Sequence, residues 1–259
     1  MKVKVAVRVV DVTSLITESD AFYKAFTTAT LLKTLNVNAL IMGEVGVGKK
    51  SLAKFILPDA PIVDASDFEE LLTALQSSNE IIITNIENSP NLKLLIQHIN
   101  DNSVRVIATS KQTFMNIYTD EHFSVKFDIL PLREREEDVH LLIEKFSLEA
   151  SSIFGGENKY DSENIIPDLS ENANSLRRQI MINYLLQDIN DLELMDIMQN
   201  YLSSKLGSNN DYKNFLHLYE VPLIKAGLQK YKSQLQLSDK LGLNRNTLRK
   251  KITDNKHYL

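Results

Sequence analysis

The sequence predicts an α/β fold: a parallel sheet with helices on both faces, followed by a small helical subdomain and an all-α domain. As far as residue 152, short apolar strands alternate with amphipathic helices, a pattern typical of parallel sheets. Two polar breaks, at Gly155-Gly156 and at Gly207–Asp211, separate the helical patterns that follow. The segment after the second break is rich in lysine and arginine.

The predicted strands are short, apolar and rich in β-branched residues, which favour extended backbone. An N-terminal strand, Val3–Val10, alternates apolar and polar residues. The other strands are Ala39–Met42, Ile62–Asp64, Ile81–Thr84, Val104–Ala108 and Phe123–Ile129.

The predicted helices have apolar residues at helical spacing. Ser19 is expected to cap a helix Ser19–Leu35, on which Phe22, Ala25, Phe26 and Ala29 share a face. Later helical segments are Lys50–Phe55, Asp67–Gln76, Asn91–Ile99, Arg135–Ser152, Glu163–Gln187 and Asp191–Leu206. The predicted domains are an N-terminal strand (1–15), an α/β subdomain (16–154), a helical lid-like subdomain (155–206), a linker (207–213) and a basic all-α domain (214–259).

The composition excludes several classes of protein. The chain has no cysteine, so it has neither a disulfide framework nor a thiolate metal site. Its five histidines show no zinc-hydrolase spacing, so no resident metal is expected. The chain has no apolar run of membrane-spanning length, and its alternating N-terminus differs from a signal peptide. A cytoplasmic protein with no membrane partner is therefore expected.

The net charge of −5 is unevenly distributed. Residues 221–259 contain nine basic and two acidic residues, a net charge of +7, which leaves −12 for the rest of the chain. A basic module on an acidic protein favours a polyanionic partner such as nucleic acid.

A glycine-rich loop follows the strand Ala39–Met42 and precedes a helix. Residues 43–49, GEVGVGK, fit the phosphate-loop pattern, in which backbone N–H groups, a helix N-terminus and a lysine surround phosphate oxygens. Lys50 stands where a general phosphate loop has the serine or threonine that holds magnesium. The predicted nucleotide-binding residues, for ATP or ADP, are Gly43, Glu44, Val45, Gly46, Val47, Gly48, Lys49, Lys50 and Ser51. The alternative is an inherited glycine turn that binds nothing.

The sequence resembles the NtrC-like AAA+ activators of sigma-54 RNA polymerase. The resemblance covers about residues 16–259 and rests on four stretches: GEVGVGKKSLAK (43–54), VRVIATSK (104–111), LPLREREEDV (130–139) and NANSLRRQI (172–180). The second stretch is similar to the sensor I strand. The fourth resembles the sensor II helix and implies that Arg177 contacts nucleotide. The family also lacks a hydroxyl residue after the loop lysine, so Lys50 is unusual only in replacing glutamate.

Departures from the family pattern imply a degenerate ATPase. Thr84 and Asn85 stand where the family has the two Walker B carboxylates, which serve magnesium and the attacking water. Glu87 is a possible substitute, although it falls beyond the strand at a family glycine position. In Phe114–His122, Met115 and Glu121 replace the arginine fingers, and the GAFTGA loop that contacts sigma-54 is absent from the sequence. No hydrolysis, and so no catalytic residue, is expected.

The basic end of the chain has the pattern of a helix-turn-helix. Predicted helices are Glu220–Gln229, Leu235–Leu241 and Arg245–Ile252, with Gly242 in the turn and Asn244 as a cap. Asn244–Lys251 resembles the recognition helix of the Fis family, with Asn246 in place of a glycine. The resemblance implies a Fis-type domain whose DNA-binding residues are Asn244, Arg245, Asn246, Thr247, Arg249, Lys250 and Lys251. The alternative is a solvated basic helix end.

The resemblance also implies a dimer. Fis-type domains pair through the helices before the reading helix, here about Asn214–Tyr231, and a pair would read a roughly palindromic site. Apolar residues available for pairing are Leu216, Leu218, Tyr219, Leu223, Ile224 and Leu228. Pro222 is expected in a first helical turn, where proline is tolerated.

Three functions remain open. The first is a dimeric transcriptional regulator that binds double-stranded DNA on a degenerate AAA+ scaffold, in the bacterial cytoplasm and nucleoid. The second is a working ATPase that remodels RNA polymerase as an oligomeric ring. The third is a non-catalytic partner that modulates an intact AAA+ family member.

Overall fold

The computed structural model describes residues 17–112, 114–155 and 166–259. The predicted strand Val3–Val10 and the start of the predicted helical unit at Glu163 lie outside these ranges. Internal contacts divide the chain into two units, one that extends to Asp188 and one that comprises Ile189–Leu259. No helix in the described ranges is both long enough and apolar enough to cross a membrane.

The first unit alternates strands and helices. Its elements are α1 (Asp20–Leu32), β1 (Ala39–Met42), α2 (Lys49–Ile56), β2 (Ile62–Asp64), α3 (Phe68–Ser77), β3 (Glu80–Thr84), α4 (Leu92–Asp101), β4 (Arg105–Ser110), α5 (Ile117–His122), β5 (Val125–Asp128), α6 (Glu136–Phe154) and α7 (Ala173–Leu186). Ser19 caps α1 through its hydroxyl, which accepts from the N–H of Phe22. Short 3-10 turns lie at Ile86–Asn88 and Leu132–Glu134.

The five strands form one parallel sheet in the order β2-β3-β4-β1-β5, which confirms the predicted fold class. Met42 at the end of β1 pairs with Ser110 of β4 and with Asp128 of β5. Asp64 at the end of β2 pairs with Thr84 of β3. The carboxyl ends of the strands therefore meet at one edge, where ligands bind in open α/β sheets.

Each face of the sheet buries a separate cluster, because alternate strand residues point to opposite faces. Ile41, Ile82 and Ile107 pack against residues of α1 and α2, including Ala29, Leu32, Leu52 and Ile56. Leu40, Ile81, Ile83 and Val106 pack against residues of α3 and α4, including Leu71, Leu75, Leu95 and Ile99. The sheet is therefore covered on both sides.

A third cluster joins α6 and α7 with the Leu132–Glu134 turn. Val139, Ile143 and Phe146 of α6 pack against Leu176 and Ile180 of α7. This packing places α7 in the first unit, whereas α8 belongs to the second. The sequence, in contrast, predicts one subdomain, 155–206, that contains both helices. Apolar spacing shows that a helix has a buried face, but it does not show which other element covers that face.

The second unit is entirely helical in its described residues. Its helices are α8 (Asp191–Ser203), α9 (Asp211–Phe215), α10 (His217–Tyr231), α11 (Gln234–Lys240) and α12 (Arg245–Asp254). Its buried cluster consists of Ile224, Leu237 and Leu248, one from each of the last three helices. All of α8 lies outside that cluster, and none of its residues is buried.

Three local predictions differ from the structure. Pro222 lies in the second turn of α10, because the helix begins at His217 and not at Glu220. The predicted linker ends in a helix, because Asp211 starts α9 and its carboxylate accepts from the N–H groups of Gly207 and Ser208. β5 spans Val125–Asp128 and is shorter than predicted, because the preceding residues form α5.

A glycine sets the distance between α10 and α11. A Cβ atom at Gly227 would lie 2.2 Å from Cδ1 of Leu237, which is fully buried. We expect Gly227→Ala to destabilise the second unit by roughly 1–3 kcal/mol through overpacking, although alanine is the better helix former. Urea unfolding followed by circular dichroism measures the change. Gln229→Ala, on the exposed side of α10, is the control, and an equal effect of both variants would contradict the packing argument.

Candidate functional site

The phosphate loop lies at the carboxyl edge of the sheet, between β1 and α2. Gly46 has a φ of 78°, and a Cβ atom there would lie 2.1 Å from the carbonyl oxygen of Glu171. Gly48 precedes α2 with a φ of 106°. Both positions require glycine, because other residues are strained at positive φ. The loop therefore has the backbone shape that the sequence pattern predicts.

Lys49 directs its ammonium group into the loop. Its Nζ atom donates to the carbonyl oxygens of Gly43 and Glu44, at 2.5 and 2.7 Å. Partial burial lowers the pKa of Lys49, and the charge of Lys111 lowers it further, while the charges of Glu87 and Glu44 raise it. The ammonium group and the α2 N-terminus thus converge on one side of the loop, an arrangement that attracts anions.

Glu44 joins the phosphate loop to the turn before α6. Its two carboxylate oxygens accept from Arg133 at 2.8 and 2.6 Å. These bonds, with a further one from Asn172, lower the pKa of Glu44 to about 2. Two parallel N–H···O bonds from arginine fix orientation as well as charge.

Asn172 joins the loop to the start of α7. Its side-chain amide donates to the carbonyl of Val45 at 2.9 Å and to Glu44 at 3.1 Å, and its oxygen accepts from the N–H of Leu132 at 2.7 Å. Ala173 then donates its N–H to the carbonyl of Gly46 at 3.2 Å. Glu44, Arg133 and Asn172, which we call the loop cover, therefore connect the loop with both helices of the α6–α7 pair.

A buried ion pair lies beneath the loop. Arg135 donates to Asp138 at 3.1 Å and to the carbonyl of Val47 at 3.2 Å, and its guanidinium lies 4.8 Å from the ring centre of Phe22. Asp138 also accepts from the backbone N–H of Glu18 and of Ser19. The pair thus holds the start of α1, the loop and the start of α6 together.

A cavity of about 160 Å³ lies between the loop, α1 and α6. Phe22, Leu132 and Phe146 supply apolar walls, and Gly48 and Ser51 supply the side next to the loop. The buried Nε atom of Arg135 has no hydrogen-bond partner among the described residues. The charged residues Arg135, Asp138 and Lys145 also line the cavity, so its wall is partly apolar and partly polar.

Thr84 and Asn85 at the end of β3 both bind Asp64. The Thr84 hydroxyl and the Asn85 amide donate to the same oxygen, Oδ2, at 3.0 and 2.7 Å. Burial opposes the ionisation of Asp64, but hydrogen bonds from Ser66, Asn85 and Thr84 outweigh it and hold its pKa below the usual value. Both side chains predicted to replace the Walker B carboxylates therefore act as donors.

Glu87 lies on the 3-10 turn after β3. Its Oε1 atom accepts from the backbone N–H of Lys111 at 3.3 Å, and its buried Oε2 has no partner among the described residues. The negative charge of Glu87 raises the pKa of Lys49, so the carboxylate lies within electrostatic range of the ammonium group. Asn85, with a φ of 52°, leads from β3 into the turn that contains Glu87.

Among the described residues, Arg177 has no hydrogen bond or ion pair with the loop. It pairs with Glu149 of α6 at 3.0 and 2.5 Å, one turn beyond the residues that reach the loop. Asn174 is the residue of this helix beside Gly46. The contact of Arg177 with nucleotide, which the family resemblance implies, stays a prediction. Arg133, Arg135 and Asn172 are not among the residues predicted from the sequence, although the motif LPLREREEDV contains the first two.

The helices α11 and α12 have helix-turn-helix geometry. They are joined by four residues, in which Gly242 has a φ of 63° and Asn244 caps α12 by accepting from the N–H of Asn246 at 2.9 Å. Leu248 is buried against α10 and α11. The exposed residues of α12 include Arg245, Asn246, Thr247, Arg249 and Lys250. Lys251 is different, because it pairs with Glu220 of α10.

NtrX from Brucella abortus is similar to this chain in structure. The form in complex with ATP has a TM-score of 0.58 and 16% sequence identity, and the match covers 93% of this chain and 69% of NtrX. The form in complex with ADP has a TM-score of 0.61 and 16% identity, with 93% and 68% coverage. The chain has an AAA+ fold. No protein-family model matches the sequence, and no curated protein matches it.

The loop cover of this AAA+ fold is expected to depend on pH. The folded pKa of Glu44 lies below its usual value of 4.5, so its contribution to stability is complete above about pH 5 and is lost as the pH falls toward about 2. Glu44→Gln removes this dependence. We expect the difference in thermal midpoint between the wild type and Glu44→Gln to shrink as the pH falls below about 4.5. A constant difference would contradict this role, and Glu144→Gln, at an exposed position of α6, is the control.

Proposed function

We propose that the chain is a DNA-binding transcriptional regulator on an AAA+ module that binds ATP or ADP without hydrolysing it. The observation that carries the proposal is the exposed polar and basic face of α12, on a helix fixed by a turn glycine, an asparagine cap and a buried leucine. An α-helix of this kind fits the major groove of DNA.

The chemistry of α12 supports DNA recognition. Arg245 and Asn246 are suited to guanine and adenine edges, and Thr247, Arg249 and Lys250 to phosphate oxygens. Among the described residues, Arg245, Arg249 and Lys250 form no ion pair. Asn244 caps α12 and Lys251 pairs with Glu220. We therefore assign to both residues the role of stabilising the domain, ahead of the DNA contact predicted for them.

The distribution of charge supports the same surface. Residues 221–259 carry +7 and the rest of the chain −12. Phosphate contacts supply most of the salt-dependent affinity for DNA, whereas an acidic surface is repelled. DNA contact is therefore expected near residues 244–251 and not on the AAA+ module.

The phosphate loop and its cavity support nucleotide binding. Lys49 and the α2 N-terminus suit phosphates, while the partly apolar cavity beside the loop suits a nucleobase. A cavity of about 160 Å³ is smaller than the roughly 300–1,000 Å³ of common ligand sites, so the sugar and phosphates extend over the loop. NtrX, with a similar fold, was crystallised with ATP and with ADP.

The residues around β3 favour binding over hydrolysis. Thr84 and Asn85 offer no base at neutral pH and already donate to Asp64. Met115 and Glu121, at the family's finger positions, supply no cation, and Met115 is 86% exposed. A working ATPase is the second candidate, favoured by the buried Oε2 of Glu87, which has no partner among the described residues, and by the effect of the Glu87 charge on the pKa of Lys49.

Self-association through the second unit completes the proposal. Tyr219 and Leu223 of α10 are exposed, as are the apolar Met195 and Ile197 of α8. Ile224, predicted to be available for pairing, is instead buried in the core of the unit and drops out of the interface. A dimer would present two α12 helices to successive grooves. RNA polymerase or an intact AAA+ protein would be a further partner in the bacterial cytoplasm.

DNA binding is tested by fluorescence anisotropy with a labelled duplex of random sequence at two salt concentrations. We expect Arg245→Ala with Arg249→Ala to weaken binding roughly 100-fold and to make the salt dependence shallower by about one charge, for the phosphate contact assigned to Arg249. Lys225→Ala, an exposed lysine of α10, is the matched control. Salt-independent binding, or an equal loss in the control, would refute DNA recognition by α12.

Nucleotide binding is tested by thermal unfolding with ADP and ATP. At about 100 times the Kd, we expect a stabilisation of roughly 5–10 °C, because ligand binds only the folded chain. Lys49→Ala should lose this shift, and Lys54→Ala, on the same helix, should keep it. ATP turnover should be undetectable. Turnover that Lys49→Ala abolishes would replace the proposal with the ATPase candidate.

A further inference from the structure

The proposed nucleotide site has a poor set of ligands for magnesium. Mg²⁺ prefers carboxylate oxygens together with the phosphates of its nucleotide, in an octahedral arrangement. At the end of β3, however, Thr84 and Asn85 donate to Asp64. Lys50 follows the loop lysine and supplies no oxygen. No group of three acidic or histidine residues that would suit a metal occurs in the described ranges. The residues present do not fit the metal that the fold implies.

Asp64 does not replace the missing carboxylates. It already accepts four hydrogen bonds, two from Ser66, one from Thr84 and one from Asn85. It also ends β2, which is separated from β1 by β3 and β4. At about 4.8 Å per strand, Asp64 lies roughly 14 Å from the strand that leads into the loop.

The two carboxylates nearer the loop are also poorly placed for a dication. Glu44 binds Arg133 through both oxygens. Glu87 accepts from the N–H of Lys111 and lies within electrostatic range of Lys49. Oε2 of Glu87, which has no partner among the described residues, would give a dication a single protein ligand, and the dication would be repelled by both lysines.

Lys111 adds a second cation at the phosphate loop. Gly43 donates its N–H to the carbonyl of Ser110 at 3.2 Å, so Lys111 directly follows the residue that anchors the start of the loop. The N–H of Lys111 donates to Glu87 at 3.3 Å, and its charge lowers the pKa of Lys49, so the two lysines lie within electrostatic range of each other. Phosphate oxygens above the loop would therefore lie in the field of two positive charges.

We propose that the loop binds the phosphates of a nucleoside di- or triphosphate without a divalent cation, with Lys49 and Lys111 supplying the positive charge that magnesium supplies elsewhere. The proposal rests on the nucleotide binding proposed above. It deepens that function by defining the cofactor requirement of the site and by assigning phosphate contact to Lys111.

The test is titration of the full chain with a fluorescent ADP analogue, once with excess MgCl₂ and once with excess EDTA. We expect the two Kd values to differ by less than about threefold, because the protein supplies no coordination geometry for the metal. Lys111→Ala should weaken binding roughly tenfold in both buffers, as expected for a charge-assisted hydrogen bond. Lys93→Ala, an exposed lysine on α4, is the control and should leave both Kd values unchanged.

The outcomes separate this proposal from the one on which it rests. Binding that weakens about tenfold or more in EDTA and recovers with MgCl₂ would overturn metal-free binding but preserve nucleotide binding. Equal effects of Lys111→Ala and Lys93→Ala would overturn the role of Lys111. Absence of binding in both buffers would overturn both proposals.

Discussion

The buried carboxylate of Asp138 is the contact on which the candidate nucleotide site depends. It is 1% exposed and accepts from Arg135 on one side and from the backbone before α1 on the other. Arg135 in turn donates to the carbonyl of Val47 in the phosphate loop. Loss of one partner from such a pair leaves a buried charge uncompensated, which costs about 3–5 kcal/mol. The positions of α1, the loop and α6 are therefore not independent.

The loop cover extends this coupling to α7. Asn172 holds the loop through Val45 while its own oxygen is held by Leu132, and Glu44 is held by Arg133. If the loop moves, it must therefore either move the α6–α7 pair with it or break these hydrogen bonds. Binding energy at the loop is thus available to shift the helical pair, which is how a non-hydrolysing module could still respond to a nucleotide.

Much of the first unit is predictable from the sequence because its signals are local. β1 and β2 have the predicted bounds, and β3 differs by one residue at its start, because each is a run of apolar residues between polar ones. The loop is equally predictable, since its glycines are required by backbone shape. The contacts of Arg177 and Ile224 are not predictable from the sequence, for the opposite reason. Whether an arginine faces a loop or a glutamate, and whether an isoleucine faces its own unit or a second copy, depends on elements distant in sequence.

The arginines of the AAA+ module and the cations of α12 differ in whether they are paired with carboxylates. In the AAA+ module, Arg133, Arg135 and Arg177 are each paired with a carboxylate, so they stabilise contacts between elements and leave little field outside. On α12, Lys251 alone is paired, through the glutamate of α10 that also anchors the helix. The remaining cations of α12 are exposed on a fixed helix. Because no carboxylate of the described residues neutralises them, their full charge is available to attract a polyanion. A short helix with few unpaired cations therefore contributes more to recognition than its share of the total charge suggests.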